Sequence, residues 1–172
     1  LGRGRDYSAF QIINMYNGEQ VAEFYSNRTP INEFAQIIAT EANLYNTAAV
    51  ISERNTIGNN LIDWLFTALE YENIWIDDKG NMGYQVTNMN REVLLADLEE
   101  AIRTSTIRIN SDRTVDELFT FIVAENGKAE AEQGYHDDLV ISMALAVYGY
   151  NNIMEKTPIE HMRGTSINRP LS

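Results

Sequence analysis

Cysteine is absent from this 172-residue chain, and proline occurs only three times. Without cysteine, neither a disulfide framework nor a thiolate zinc site can hold the fold. No apolar run is long enough to span a bilayer, and the N-terminal residues lack the apolar core of a signal peptide. Positive charge is also scarce, because 13 Lys and Arg stand against 25 Asp and Glu, for a formal net charge of −12. This balance excludes a purely electrostatic interaction with nucleic acid, so DNA binding would need a local basic stripe, metal ions or a basic partner domain.

The residues that are present are typical of one globular α/β domain. Hydrophobic residues make up 44% of the sequence and charged residues 22%, which at this length is enough for a core. A strand predicted over 7–16 leads into Asn17-Gly18, a strong hairpin signal, and a partner strand follows. Helices then alternate with short strands, which predicts a mixed sheet with helices packed on it over 1–150. Residues 151–172 are predicted to form a loosely ordered tail.

Between the hairpin and the last helix, the elements are predicted from periodicity. The short apolar run at 48–52 is typical of a strand buried on both faces, and residues 73–77 are predicted to form another short strand. Apolar residues at helical spacing predict three helices, the first capped by Thr29 and the third beginning near Asn90. Residues 112–124 fit a helix and a strand equally well.

Two adjacent carboxylates open the most apolar helix, which is predicted over 137–150. In the simplest interpretation Asp137 caps the helix and Asp138 complements the helix dipole. The rest of this helix is apolar nearly all round, so it should be buried, with its first turn at the edge of the core. Adjacent carboxylates repel each other there unless a cation lies between them. The pair is therefore also a candidate for metal binding.

Another carboxylate, Glu53, directly follows the predicted strand at 48–52. Ligand sites in open α/β sheets gather at the carboxyl ends of strands, although a solvated glutamate at a loop edge is the commoner case. If Glu53 and the aspartates of the last helix meet, their hard oxygen ligands suit Mg²⁺ or Mn²⁺. Two such ions can activate water and stabilise the leaving oxygen of a phosphodiester.

The N-terminal segment GRGRDY, residues 2–7, combines glycine with charge. A strand follows it where a phosphate-binding loop would need a helix, so a nucleotide-binding loop is rejected. Arg3 and Arg5 lie close to Asp6 in sequence, and Arg54 follows Glu53 directly. These three arginines are the predicted contacts to DNA phosphates.

Three segments, in this order and spacing, resemble the C-terminal nuclease domain of the large terminase subunit of tailed bacteriophages. They are GRGRDY at 2–7, VISERNTIGNNL at 50–61 and EQGYHDDLVISMALAVYGY at 132–150, of which the part from Gly134 to Ser142 is the most specific. The resemblance covers most of the chain. It implies a ribonuclease-H-like mixed sheet flanked by helices, a fold shared with Holliday-junction resolvases and integrases.

Members of that family use acidic residues with divalent metal to cut concatemeric double-stranded viral DNA during packaging. The resemblance implies that Glu53 is the middle acid of a site for two Mg²⁺ or Mn²⁺ ions, that Asp138 is the last acid with Asp137 beside it, and that Asp6 is an auxiliary acid. It also implies four features of the setting: an ATPase domain in the same longer chain, a portal and small terminase subunit as partners, no membrane association, and the host-cell cytoplasm.

The chain departs from the family pattern at the first acid. In the family, a catalytic aspartate ends a central strand just before the glycine-rich loop, and this chain starts inside that loop, at Leu1. Either the sequence is a piece of a longer protein, or another segment takes the place of that strand. Two other functions are considered: a non-catalytic packaging module docking on a portal or on DNA, and a resolvase-like nuclease acting on branched DNA.

Overall fold

The computed structural model describes residues 7–123, 129–131 and 136–156. They form, in chain order, β1 (Ser8–Ile13), β2 (Gln20–Ser26), α1 (Ile31–Leu44), α2 (Thr56–Asp63), a π-helical turn (Trp64–Ala68), α3 (Asn88–Arg103), α4 (Asp112–Phe119), β3 (Phe121–Val123), β4 (Ala129–Ala131) and α5 (Asp138–Lys156). The mixed α/β architecture confirms the predicted fold class. None of the helices within these ranges is long and apolar enough to cross a membrane.

The predicted hairpin is present at the start of the described chain. β1 and β2 pair antiparallel, and Gly18 in the turn between them has a φ of +69°. A Cβ at this position would lie 2.0 Å from the carbonyl oxygen of Thr106, so the turn requires glycine. The extended chain near Arg108 runs beside the hairpin and exchanges backbone hydrogen bonds of 2.9 Å with Gly18 and Gln20. The hairpin is thereby fixed to the rest of the domain.

The two segments predicted as short strands are extended, but they pair through single bridges instead of continuous ladders. Val50 forms a parallel bridge with Ile74, and Glu53 forms one with Tyr84. We refer to residues 50–53 as the inner segment. One side of the inner segment is bonded to its neighbours in this way, and the other side faces the groove described below.

The starts of α1 and α3 differ from the predicted caps. Thr29, the predicted cap of α1, instead donates its hydroxyl hydrogen bond to Ser26 at 2.8 Å, and α1 has no side-chain cap. α3 begins before the predicted Asn90, because Thr87 and Asn90 form a reciprocal capping box. Helix starts therefore follow the local hydrogen bonds more closely than the apolar pattern.

The ambiguous region 112–124 contains a helix followed by a strand. Ser111 caps α4 by accepting from the backbone N–H of Thr114, and β3 pairs antiparallel with β4. α5 continues past its predicted end at Tyr150 to Lys156, so the start of the predicted tail is helical. The rest of that tail lies outside the described residues.

Two hydrophobic cores pack against the strands. Successive strand residues alternate between them, with Phe10 and Val50 in the core beneath α1 and α2, and Ile13 and Ile51 in the core beneath α3 and α5. We call these the α1/α2 core and the α3/α5 core. The strands thus form a layer between two layers of helices, which is the arrangement that buries both faces of a sheet.

Candidate active site at the start of the last helix

A groove of about 990 Å³ opens between β1 and the inner segment. α5 contributes one wall of this groove, and α1 and α2 contribute another. Glu53 of the inner segment and Asp137 and Asp138 at the start of α5 all line it. The structure therefore brings these three predicted site residues, which come from two separate elements, to the same groove.

Asp137 and Asp138 have different surroundings. The Asp137 carbonyl accepts from Ile141 N–H at 2.8 Å, so Asp137 holds the backbone position of an N-cap. Its carboxylate, however, accepts from the guanidinium of Arg91 on α3 at 2.6 Å, with side chains that are 41% and 24% exposed. Asp138 lies in the first turn of α5, with a carboxylate oxygen 3.8 Å from the Nδ1 of His136. The simple capping interpretation is thus correct for the Asp137 backbone, while the Asp137 side chain binds α3.

Aromatic rings form the border of the site beside Asp138. His136 packs edge-on against Tyr7 with ring centres 4.6 Å apart, and Tyr7 stacks on Tyr25 at 4.2 Å. Burial raises the pKa of the Tyr25 phenol, and the negative charges of Glu117 and Asp138 raise it further. Tyr25 is therefore a neutral phenol at ordinary pH.

Glu117 on α4 is the functional candidate that the sequence did not reveal. Its Oε1 accepts from the backbone N–H of Val140 in the first turn of α5 at 2.9 Å. Burial raises the pKa of Glu117 to about 7, and the nearby Asp138 and Asp137 act in the same direction. Hydrogen bonds from Val140 and Leu139 N–H partly offset these effects. A carboxyl group whose pKa is raised towards neutrality beside two other acids marks this end of the groove as electrostatically unusual.

Arg54, one of the predicted phosphate contacts, is bound within the fold. Its guanidinium donates to Asp77 at 3.2 Å and to Gln85 at 3.3 Å. Hydrogen bonds from the side chain and backbone of Asn81, with further bonds from Lys79 and Arg54, lower the pKa of Asp77 to about 2. Asp77 is therefore a carboxylate at neutral pH and a permanent partner for Arg54. The other two arginines, Arg3 and Arg5, lie outside the described residues, as does Asp6.

The side chains that line the groove offer the type of ligand that the predicted metal binds, but the described residues do not bring three of them together. Carboxylate oxygens are what Mg²⁺ and Mn²⁺ prefer. Within the described ranges, however, no group of three or more Asp, Glu, His or Cys side chains is placed to hold a metal ion. One of the candidates, Asp137, already pairs with Arg91.

The fold of this chain is similar to that of several solved structures. No protein-family model matches this chain. The large terminase nuclease from thermophilic phage G20c with bound cobalt matches with a TM-score of 0.69 and 21% identity, over 84% of this chain and 75% of that one. The magnesium-bound form of that nuclease matches with a TM-score of 0.70 and 20% identity, over 86% and 77%. The large terminase nuclease domain of Thermus phage P74-26 matches with a TM-score of 0.68 and 21% identity, over 88% and 76%.

The fold of this chain is therefore that of large terminase nuclease domains. This confirms the fold that the sequence resemblance implied.

Proposed function

We propose that this chain is the nuclease domain of a viral DNA-packaging terminase, a divalent-metal-dependent endonuclease that cuts concatemeric double-stranded DNA. The observation that carries the proposal is that Glu53, Asp137 and Asp138 all line one groove. The fold supports it, because terminase nucleases of this fold have been solved with bound cobalt and with bound magnesium. In the proposed site Glu53 and Asp138 are metal ligands, and Asp137 lies beside them in its pair with Arg91.

Two Mg²⁺ or Mn²⁺ ions would activate the attacking water and stabilise the leaving oxygen of the phosphodiester. The contribution of this chain is to place the carboxylates of two elements at one groove and to give them fixed partners. Asp137 is oriented by Arg91 at 2.6 Å, and His136 lies 3.8 Å from Asp138. Asp6 is proposed as the auxiliary acid near the site.

The two walls of the groove are extended backbone, between which a further strand would fit. Val50 and Ser52 direct their backbone hydrogen bonds to neighbours on the far side of the inner segment. Because backbone groups alternate along an extended chain, those of Ile51 face the groove. β1 forms the opposite wall and is paired with β2 along its outer edge. We propose that an apolar strand lies between these two walls and ends in an aspartate that completes the metal site.

The test compares this chain with the same chain extended by such a strand. Metal titration by calorimetry and nicking of a plasmid are measured on both, with an Asp-to-Asn change at the end of the added strand as the matched control. We expect weak Mg²⁺ or Mn²⁺ binding and poor cleavage by this chain, and an increase in both for the extended chain but not for its control. Equal activity of the two lengths would show that Asp6 or another acid already fills the role.

The same assay separates the alternatives to a packaging nuclease. Metal binding that is lost in Glu53→Gln and Asp138→Asn but never accompanied by cleavage would favour a non-catalytic packaging module. Faster cutting of branched than of linear duplex would favour a resolvase-like nuclease. The proposed setting is the one that the sequence resemblance implied: a terminase ATPase domain in the same longer chain, a portal and a small terminase subunit, in the host-cell cytoplasm.

DNA recognition is proposed to run through phosphates, with Arg3, Arg5 and Arg54 as contacts. Arg54→Ala should then weaken binding to all duplex sequences about equally. Because Arg54 also pairs with Asp77, Asp77→Asn is the control, since it breaks the same ion pair while keeping the guanidinium. A loss of binding confined to one DNA sequence, or an equal loss in Asp77→Asn, would contradict a direct phosphate contact.

A further inference from the structure

A row of flat side chains leads from the exposed surface of α4 to the acids of the groove. The guanidinium carbon of Arg113 on α4 lies 5.9 Å from the centre of the Tyr25 ring. Tyr25 stacks on Tyr7 with ring centres 4.2 Å apart, and Tyr7 packs edge-on with His136 at 4.6 Å. His136 in turn lies 3.8 Å from Asp138. We call the first four of these residues the stacked row, and it connects an exposed arginine to a proposed metal ligand.

A buried carboxylate holds Arg113 at the outer end of the stacked row. The guanidinium lies 2.5 Å from Glu23, whose side chain is only 7% exposed, whereas the Arg113 side chain is 60% exposed. The other carboxylate oxygen of Glu23 accepts from the hydroxyls of Ser111 and Thr114. Because Glu23 is bound at both oxygens, it fixes one edge of the guanidinium while more than half of the arginine side chain faces solvent. A charged group that is fixed in advance loses less entropy when it binds a ligand.

Two other arginines close to the acids of the groove are less suited to an external ligand. Arg54 and Arg91 each pair with an aspartate, and their side chains are only 24% exposed. Arg113 is far more exposed, although its neighbours Asp112 and Asp116 on α4 are exposed acids. A contact with a polyanion at this place would therefore come from one well-placed guanidinium and not from a basic surface.

The chemistry of the stacked row favours a DNA phosphate over a DNA base. A planar guanidinium presents its N–H donors in a fork that matches the oxygens of a phosphate. A base would need an open ring face, but Tyr25 and Tyr7 stack on each other with an interplanar angle of 4°. Burial raises the pKa of the Tyr25 phenol, so this ring adds no negative charge beside a phosphate at neutral pH.

We propose that Arg113 is a phosphate contact for duplex DNA, held by Glu23 at the end of the stacked row so that the DNA backbone runs from α4 to the acids of the groove. The inference rests on the proposed function for the nature of the ligand, but it requires neither metal binding nor cleavage. It adds a contact on α4 to those proposed at Arg3, Arg5 and Arg54.

The experiment measures the affinity of this chain for a labelled linear duplex by fluorescence anisotropy, with Mn²⁺ present and at salt concentrations from about 50 to 200 mM. Arg113→Ala removes the guanidinium, and Arg113→Lys keeps the charge without the planar fork. Arg103→Ala is the matched control, because Arg103 is 67% exposed and also pairs with a glutamate, at the opposite end of α3 from Arg91. Thermal unfolding of each variant verifies that it is folded.

In Arg113→Ala we expect duplex binding to be about tenfold weaker for all sequences, as for loss of one hydrogen bond to a charged group. The slope of log affinity against log salt concentration should fall by about one, because one fewer phosphate is neutralised. Arg113→Lys should keep the slope and lose less affinity than Arg113→Ala. Arg103→Ala removes the same charge and should stay within about threefold of the parent chain, because exposed charges far from the ligand are screened.

The outcomes separate a wrong inference from a wrong function. Equal losses in Arg113→Ala and Arg103→Ala, or an unchanged salt slope in Arg113→Ala, would overturn the phosphate contact, because net charge or a structural change would then be the cause. A parent chain that does not bind duplex, or a larger loss on single-stranded DNA than on duplex in Arg113→Ala, would overturn it as well. If the chain binds duplex through Arg113 and the strand-extended chain never cuts a plasmid, the proposed nuclease activity fails and the DNA contact stands.

Discussion

Helices α3 and α5 pack together in one core and begin in different ways. α3 satisfies its own first turn, because Thr87 and Asn90 exchange side-chain and backbone hydrogen bonds. α5 begins with two aspartates, yet its first turn is capped by Glu117 of α4. A helix that caps itself needs nothing from the rest of the fold. In this protein the two aspartates at the start of α5 line the groove, and Asp137 also pairs with Arg91.

The largest expected effect comes from removing the carboxylate of Asp138. Asp138→Asn in the strand-extended chain should lower the rate of plasmid nicking by about 100-fold or more, the scale seen when a group acting directly in the transition state is lost. The fold should persist, because the change removes negative charge from a crowded site. Thr87→Ala, the matched change at the start of α3, should leave the rate unchanged. Cleavage that survives Asp138→Asn would show that Asp138 has no direct role.

A change in the core that the two helices share should affect stability and not the site. Leu98 on α3 is only 2% exposed and packs in the α3/α5 core. Leu98→Ala is expected to lower the free energy of unfolding by about 2–5 kcal/mol, because it removes buried methyl groups and leaves a cavity. Urea denaturation measures this directly, with Mn²⁺ affinity as the second measurement. A destabilisation with much weaker metal binding in the folded protein would show that the core and the site are coupled.

The difference between the starts of α3 and α5 can be measured as the loss of stability caused by one substitution at each. Thr87→Ala should lower the free energy of unfolding by about 1 kcal/mol, as for a typical N-cap. Asp137→Ala should cost less, because the Asp137 carboxylate pairs with Arg91 on a partly exposed surface and does not cap α5. Thr87→Ser, which keeps the hydroxyl, is the control. Equal costs at the two positions would show that Asp137 is an ordinary cap after all.

A structural feature of this protein can be predicted from the sequence when the residues that form it are close together in the chain. The hairpin at Asn17-Gly18 is predicted because the turn carries its own signature. The start of α3 is missed because its capping box uses Asn90 where glutamate or glutamine is usual. The capping of α5 by Glu117 and the ion pair of Asp137 with Arg91 join residues 23 and 46 positions apart in the chain. Contacts over such distances leave no periodic pattern, so Asp137 and Asp138 could be singled out from the sequence, whereas Arg91 and Glu117 could not.

The smallest expected effect is a change of stability with pH. Burial, together with Asp138 and Asp137, raises the pKa of Glu117 from 4.5 to about 7 in the folded chain. A raised carboxyl pKa gives stability that is complete below pH 4.5 and is lost as the pH rises through 7. Relative to Glu117→Gln, the parent chain should therefore weaken across this window, by about 1 kcal/mol because half-exposure screens the charges.

Thermal unfolding in a chelating buffer, from pH 4.5 to 8, measures this difference. Asp116→Asn, which removes the same charge from an exposed residue of α4, is measured as the control. A difference between Glu117→Gln and the parent chain that does not vary with pH would mean that Glu117 titrates as an ordinary surface carboxyl.

The groove between β1 and the inner segment also bears on the tendency of this chain to aggregate at high concentration. An extended backbone that borders an open apolar groove can pair with the backbone of a second copy. At low ionic strength the formal net charge of −12 keeps the copies apart. In 1 M salt the screening length falls to about 3 Å, and the copies can approach to contact distance. We therefore expect concentrated stocks to stay clear at low ionic strength, and to form strand-paired aggregates when salt is added.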